Sequence, residues 1–463
     1  MTALVKRLFL LGLDGATWDL ISPLIKKDLL PNFKKIRENG VWGILKSPNP
    51  PLTPPAWTSI STGLNPGKHN IFSFTKPKKD YKQEIVLSNK KKVKALWDSF
   101  EEKKKIVVNW PMTFPAKKIN GIMISGMLTP SKKSNFTYPE TFKHKIPEDY
   151  KIEPENEDNF KDIIDTFDSQ KKLIEKLIKS EWDMFFYVVR TTDSLQHFFY
   201  NDSKKIETLY RKVDRLLELI LNSIDDETLL VLVSDHGFKK VSKQFNIIAW
   251  LEREGYLKTK NKNSKNNDFI NKVKLILYKL KIKRLVRSII PKKILNKLLT
   301  PSLESVSNEI DYKETKVFPG GWGGVYINTT NYEDGTVSEN EKEELIKKLK
   351  TELECVIENN VPVLKKVIDT KKTYNGPYTK NAPDLFIVPN TEKEYTTSLD
   401  RSNNIIEKTT KEGDHQEDGI FLFYTKKTKN RRIDAINILD IAPTIADFLG
   451  KKIKTDGKKV LLK

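Results

Sequence analysis

The chain has 463 residues, with 82 Lys and Arg against 61 Asp and Glu for a net charge of +21, and only five histidines and one cysteine. A single cysteine, Cys355, excludes an internal disulfide and any multi-thiolate metal centre, and no apolar run is long enough to span a bilayer. The length suits one large α/β domain with insertions over 1–463, and the charge points to anionic partners or, the weightier reading, to solvated lysine-rich faces such as Lys103-Lys104-Lys105.

Lys6 and Arg7 precede a short apolar run that reaches Asp14 too soon for a signal sequence and lacks a small-residue cleavage site. Residues 7–13 are therefore expected as a buried first strand. In 48–59 the prolines fix an extended approach and then let a helix start at Ala56 or Trp57, which sets Thr53 at a helix N-terminus. Free amides and the helix dipole favour an anion there. The plainer reading is an N-cap threonine before a helix over 56–63, and local grounds alone favour it. Residues 75–150 read as a looser cap excursion, with a strand candidate at 106–109 and the stretch Asn109-Trp-Pro-Met-Thr-Phe-Pro115.

Helices over 160–179 and 203–224 then alternate with strands over 184–190 and 228–234. Residues 258–312 break the alternation as a basic helical insertion. A Lys/Asn/Ser loop at 259–268 leads into a basic amphipathic helix at 273–290, ended by Pro291. Such a helix suits an anionic membrane surface or a polyanion, but packing as a cap on its own protein is favoured. Strands at 323–328, 384–388 and 419–424 and helices at 337–359 and 438–449 complete the chain. Short apolar runs alternating with helices are the signature of a mostly parallel central sheet covered by helices on both faces.

Three of the five histidines lie beside aspartates: Asp193-Ser-Leu-Gln-His197, Ser234-Asp235-His236-Gly237 and Gly413-Asp414-His415. Asp193 and His197, four residues apart, share one face of a helix and can ligate one ion together. Asp14, Asp193 and Asp235-His236 follow the carboxyl ends of expected strands, the edge where open α/β sheets bind ligands. Histidine with carboxylate is a ligand set for zinc and similar divalent ions. His69 and His144, beside lysines, read as ordinary surface residues.

Taken together these segments resemble the alkaline phosphatase superfamily, closest to its type I phosphodiesterase/nucleotide pyrophosphatase branch. The resemblance runs through Leu13-Asp14-Gly15, Thr53-Pro-Pro-Ala-Trp-Thr58, Thr62-Gly-Leu-Asn-Pro-Gly-Lys-His69, the Asp193/His197 pair, Ser234-Asp235-His236-Gly237 and Gly413-Asp414-His415. It continues through Asp440-Ile-Ala-Pro-Thr-Ile445 with Leu449-Gly450, and Phe318-Pro-Gly-Gly-Trp-Gly-Gly-Val-Tyr-Ile327 is similar to archaeal and bacterial members. It implies an alkaline phosphatase-like α/β fold with inserted caps and two divalent ions, zinc first and manganese second. One ion would be held by Asp14, Thr53, Asp235 and His236, the other by Asp193, His197 and His415. Thr53 would attack phosphorus in line to form a phosphothreonine, which water activated at the second metal would release.

The family's nucleotide pyrophosphatases hold a phosphoryl oxygen with an asparagine, for which Asn70 is nearest and Asn109 the alternative. The arginine that phosphomonoesterases use to bind a terminal phosphate has no obvious match, which leaves substrate preference open; a diesterase or pyrophosphatase is expected ahead of a monoesterase. Thr53-Pro-Pro-Ala-Trp57 lacks the sulfatase context, and phosphoglycerate mutases use serine with another ligand spread. The expectation is a cytoplasmic hydrolase acting on a small phosphoester or nucleotide. Its competitors are a phosphotransferase of the same superfamily, touching a membrane surface through 273–290, and a basic module on a retained fold. The module would show nucleic-acid affinity falling steeply with salt; nucleic acid is not the favoured partner.

Overall fold

The computed structural model describes residues 6–260, 303–400 and 402–461. The expected basic helix at 273–290 lies outside the described residues. The central sheet contains, in chain order, β1 (Arg7–Leu13), β2 (Val41–Lys46), β3 (Lys105–Val108), β4 (Gly121–Ile124), β5 (Thr137–Tyr138), β6 (Met184–Val189), β7 (Thr228–Val233), β8 (Asp418–Tyr424) and β9 (Arg431–Asn437). They lie side by side as β9-β2-β8-β7-β1-β6-β3-β4-β5. All are parallel except β5 and β8, which run against their neighbours.

The middle strands are apolar throughout because both faces of the sheet are covered. Along β1, Phe9, Leu11 and Leu13 join one core with the helices Trp18–Lys26, Pro31–Glu38, Phe160–Leu177 and Ser203–Ser223. Leu8 and Leu10 turn to the other face and pack with the helices Thr53–Thr62 and Ile441–Phe448. The α/β architecture expected from the alternation is thus the one observed.

Two expected strands belong elsewhere. Gly324–Ile327 and Leu385–Pro389 sit in a separate four-stranded antiparallel sheet with Val317–Pro319 and Leu364–Asp369. A short apolar run specifies a strand but not the partner it pairs with, so the sequence could not assign them to a sheet. The second sheet has its own core, shared with the helices Ile247–Arg253 and Glu339–Glu354. The latter helix stops before the expected 359, because Asn359 and Asn360 take left-handed φ (52° and 63°) and turn a hairpin between Ile357–Glu358 and Val361–Pro362.

Of the stretch 75–150, β3, β4 and β5 extend the central sheet, while the hairpin Thr75–Pro77/Gln83–Ile85 stands outside it. Around the basic insertion, Thr259 bridges to Ile310, and Val306 and Ile310 pack into the second sheet's core. Among the described residues no helix is long and apolar enough to cross a membrane.

Candidate metal centre and nucleophile

The carboxyl edge of the central sheet gathers the site. β1 ends at Leu13, and Gly15 takes φ +69°, turning the chain so that its amide donates to Asp235 Oδ1 at 3.2 Å. A Cβ at Gly12 would meet the Trp57 ring at 2.3 Å, so only glycine lets that indole lie on β1. Helix α1 (Thr53–Thr62) starts three residues earlier than expected, with Leu52 as N-cap and Thr53-Pro54-Pro55 as its first turn. The first amides of a helix have no intrahelical acceptor, so the prolines lose nothing there. Thr53 is therefore not an N-cap; its buried hydroxyl lies 3.3 Å from His236 Nε2.

Helix α2 (Thr191–Phe199) follows β6 and sets Asp193 and His197 one turn apart, with Asp193 Oδ1 3.5 Å from His197 Nε2. Thr192 Oγ1 donates to Asp14 O at 2.6 Å, tying α2 to the end of β1. His415 arrives on the strand Gly413–Gln416, which pairs antiparallel with Gly237–Lys240. That pairing stacks the rings of His415 and His236, their centroids 3.7 Å apart.

A common pattern runs through these groups: one atom of each is held from outside and the other faces the cluster. The three imidazoles each donate Nδ1–H to a carbonyl: His197 to Gly413 O (3.0 Å), His415 to Pro51 O (3.1 Å), His236 to Gly237 O (3.2 Å). A carbonyl only accepts, so each ring keeps an Nε2 lone pair for the centre. Trp57 Nε1–H donates to Asp14 Oδ2 at 3.2 Å, leaving the buried Oδ1 without a hydrogen-bond partner. Gly15 holds Asp235 Oδ1, and Asp235 Oδ2 is equally orphaned. Arg190 Nη1 donates to Asp193 Oδ2 at 2.7 Å, leaving Oδ1 3.2 Å from His415 Nε2.

The electrostatics follow. Burial first, then the Asp235 charge, raises the Asp14 carboxyl well above its ordinary range, and burial pushes Asp235 up to about 7. Burial, with His415 adding to it, holds His236 well below the ordinary imidazole value. Burial also brings His197 down to about 4. For Asp193 burial acts upward but is outweighed by His197, His415 and Arg190, which hold it well below the usual range. Inward-facing carboxylate oxygens and imidazole lone pairs, with His197 and His415 Nε2 only 3.2 Å apart, need positive charge between them. Ligand atoms within 4.8 Å of one another group as Asp14/Asp235/His236, as Asp193/His236/His415 and as His197/Asp414/His415. This donor set fits divalent ions of the zinc kind.

All seven residues of the expected ligand-and-nucleophile set thus meet in one place. The two candidate asparagines differ. Asn70, at φ 67°, braces loops: its Nδ2 donates to Lys90 O at 3.1 Å and its Oδ1 accepts from Asn381 at 2.8 Å. Asn109 is buried at the carboxyl end of β3, on the site's own sheet edge, its Oδ1 accepting from the Tyr150 hydroxyl at 2.7 Å. His69, expected at the surface, is fully buried: its Nδ1 accepts from Ile71 N and its Nε2 lies 3.1 Å from Ser59 Oγ. Its neighbour Lys68 pairs instead with Asp456, while the ring of His69, at the end of the short helix Pro66–His69, is buried. His144 is exposed, as expected.

Trp57, Arg190, Glu153 and Glu157 were not found from sequence. Trp57 had a signal, four residues past Thr53 on the same helix face, as did Arg190, one turn before Asp193. Glu153 and Glu157 had none.

The family model of type I phosphodiesterase/nucleotide pyrophosphatase matches residues 8–418. Among solved structures, inactive murine ectonucleotide pyrophosphatase/phosphodiesterase 5 (ENPP5) in complex with AMP aligns at TM-score 0.58 and 13% identity, over 98% of this chain and 97% of that one. Human ENPP5 aligns at TM-score 0.57 and 14% identity, over 98% and 97%. At these identities the likeness is one of fold. No curated protein sequence matches.

Proposed function

This chain belongs to the type I phosphodiesterase/nucleotide pyrophosphatase family, and we propose that it is a two-ion phosphoric-ester hydrolase with Thr53 as nucleophile. The observation that carries this reading is the set of ligand atoms that face one another in the cluster: Asp14 Oδ1, Asp235 Oδ2 and His236 Nε2 beside the Thr53 hydroxyl, and Asp193 Oδ1, His197 Nε2 and His415 Nε2 next to them. Two divalent ions bound there would offset charge on the phosphoryl oxygens and make the Thr53 hydroxyl and a water acidic enough to react. Zinc is the first candidate and manganese the second.

Thr53 Oγ would form a bond to phosphorus as the ester oxygen leaves, giving a phosphothreonine. Water would then attack phosphorus from the vacated side, and the bond to Thr53 Oγ would break to restore the hydroxyl and release phosphate or a phosphomonoester. Thr53 is the first residue of α1, where the helix dipole favours a phosphoryl oxygen; Pro54 and Pro55 carry no N–H and Ala56 N donates to Leu52 O, so the Thr53 amide is the one first-turn donor that could join it. Asn109, on the same edge, is the better of the two asparagine candidates, because both polar ends of Asn70 are engaged.

A diester or pyrophosphate is favoured over a monoester. Arg190, the arginine beside the cluster, is held by Glu153, Glu157 and Asp193 and leaves no free guanidinium for a terminal phosphate. The murine neighbour was solved with AMP, which makes nucleotide phosphoesters the first class to try.

The test is hydrolysis of a chromogenic diester and monoester, then a panel of dinucleotides and nucleotide sugars, by zinc- and manganese-loaded protein. Thr53→Ala should lower the diester rate by about three orders of magnitude or more while metal uptake persists. Full activity in that variant would exclude Thr53 as nucleophile, and absence of divalent-metal uptake would sink the two-ion reading.

A further inference from the structure

Arg190 joins the ligand cluster to a segment that the proposed chemistry leaves without a role. It follows β6, and its side chain is 12% exposed. Its Nη1 donates to Asp193 Oδ2 at 2.7 Å and its Nε to Glu153 Oε2 at 2.5 Å. Its Nη2 is held by Glu157, whose Oε1 also accepts from Ser194 Oγ at 3.2 Å. A guanidinium carries five donors on three nitrogens in a rigid fork and can hold three carboxylates at fixed angles, whereas an ammonium's three donors share one nitrogen at the end of a flexible stem.

The consequence falls on Asp193. With Oδ2 occupied by Arg190, Oδ1 is the oxygen presented to His415 Nε2 and His197 Nε2. We propose that Arg190 is a positioning residue that fixes Asp193 as a one-oxygen ligand of the ion it shares with His197 and His415. Glu153 and Glu157 are the struts that set the guanidinium's angle. This inference rests on the two-ion reading above. An arginine alone beside Asp193 would also weaken the carboxylate's pull on a cation. The two glutamates, both within contact of the guanidinium, offset that positive charge and leave the orienting effect.

The experiment is a calorimetric titration of Zn2+ into the metal-stripped full chain, with the melting temperature of the metal-free protein read alongside. Wild type should show two binding steps. Arg190→Met should weaken one of them by about 10- to 100-fold, the usual effect of removing a residue that orients a ligand, and leave the other within about twofold. Arg190→Lys, the variant more certain to fold, should fall between, because its ammonium reaches fewer of the three carboxylates. Two unchanged steps in both variants would overturn the proposal. So would equal weakening of both steps with a lower metal-free melting temperature, since that is what a purely structural role predicts. A wild type that takes up no Zn2+ sinks the two-ion reading and this inference with it, whereas the other two outcomes remove the role of Arg190 alone.

Discussion

At position 69 an imidazole is enclosed between α1 and the chain that follows it, and its titration is a stability lever separate from the metal cluster. Burial, with Lys91 adding to it, lowers its pKa from 6.5 to about 3. Below pH 6.5 the unfolded chain therefore takes up a proton that native His69 refuses until about pH 3. Stability is full above that window and falls as pH drops through it. At 1.36 kcal/mol per unit, the loss attributable to His69 between pH 7.5 and 5 is about 2 kcal/mol. Urea unfolding at the two pH values should show wild type losing about that much more than His69→Gln. Equal losses would mean that this ring is not kept neutral by its burial. The ligand histidines follow another rule, since their Nδ1 atoms are fixed by carbonyls and their Nε2 atoms belong to the centre.

Among the elements, the helix Pro31–Glu38 shows what local reading misses. Its N-cap is Leu30, which offers no side-chain acceptor. Asp214, from the helix Ser203–Ser223, supplies the cap instead: Oδ1 accepts from Asn32 N at 3.0 Å and Phe33 N at 2.9 Å, and Oδ2 from Asn32 Nδ2 at 2.7 Å. Asp214→Ala would strand these donors in a part-buried site and should cost about 2 kcal/mol in urea unfolding, with diester turnover unchanged. A loss below about 0.5 kcal/mol would show that solvent caps the helix as well as Asp214 does. The start of α1 was misread for a related reason. Prolines signal a helix start only to within a turn, and the tertiary contact of Thr53 with His236 accompanies the earlier one.

Over the whole molecule, residues 261–302 carry twelve Lys and Arg and one acidic residue, a large part of the net +21. The segments that flank this stretch are tied to each other: Thr259 bridges to Ile310 and Lys260 N donates to Glu309 O at 2.9 Å. Replacing 261–302 by a short Gly/Ser linker should therefore keep zinc stoichiometry, and diester turnover within about twofold, because closing a flexible loop costs little that depends on its length. Loss of zinc binding in that variant would tie the insertion to the site.

The sequence by itself determined the α/β class, most element types and six candidate ligands, and through the family resemblance it added Thr53 to the converging set. Strand-end aspartates and a four-residue Asp/His spacing are local patterns with direct geometric meaning. The tertiary structure alone decided which sheet Gly324–Ile327 and Leu385–Pro389 join, and how His415 reaches His236 through the pairing of Gly413–Gln416 with Gly237–Lys240. It alone decided which groups hold the outer atoms of the cluster: Trp57 on Asp14, and Arg190 with Glu153 and Glu157 on Asp193. Apart from Arg190 and Asp193, which stand one turn apart, those contacts join side chains that share no periodicity, and their energy exists only once the sheet has brought them together.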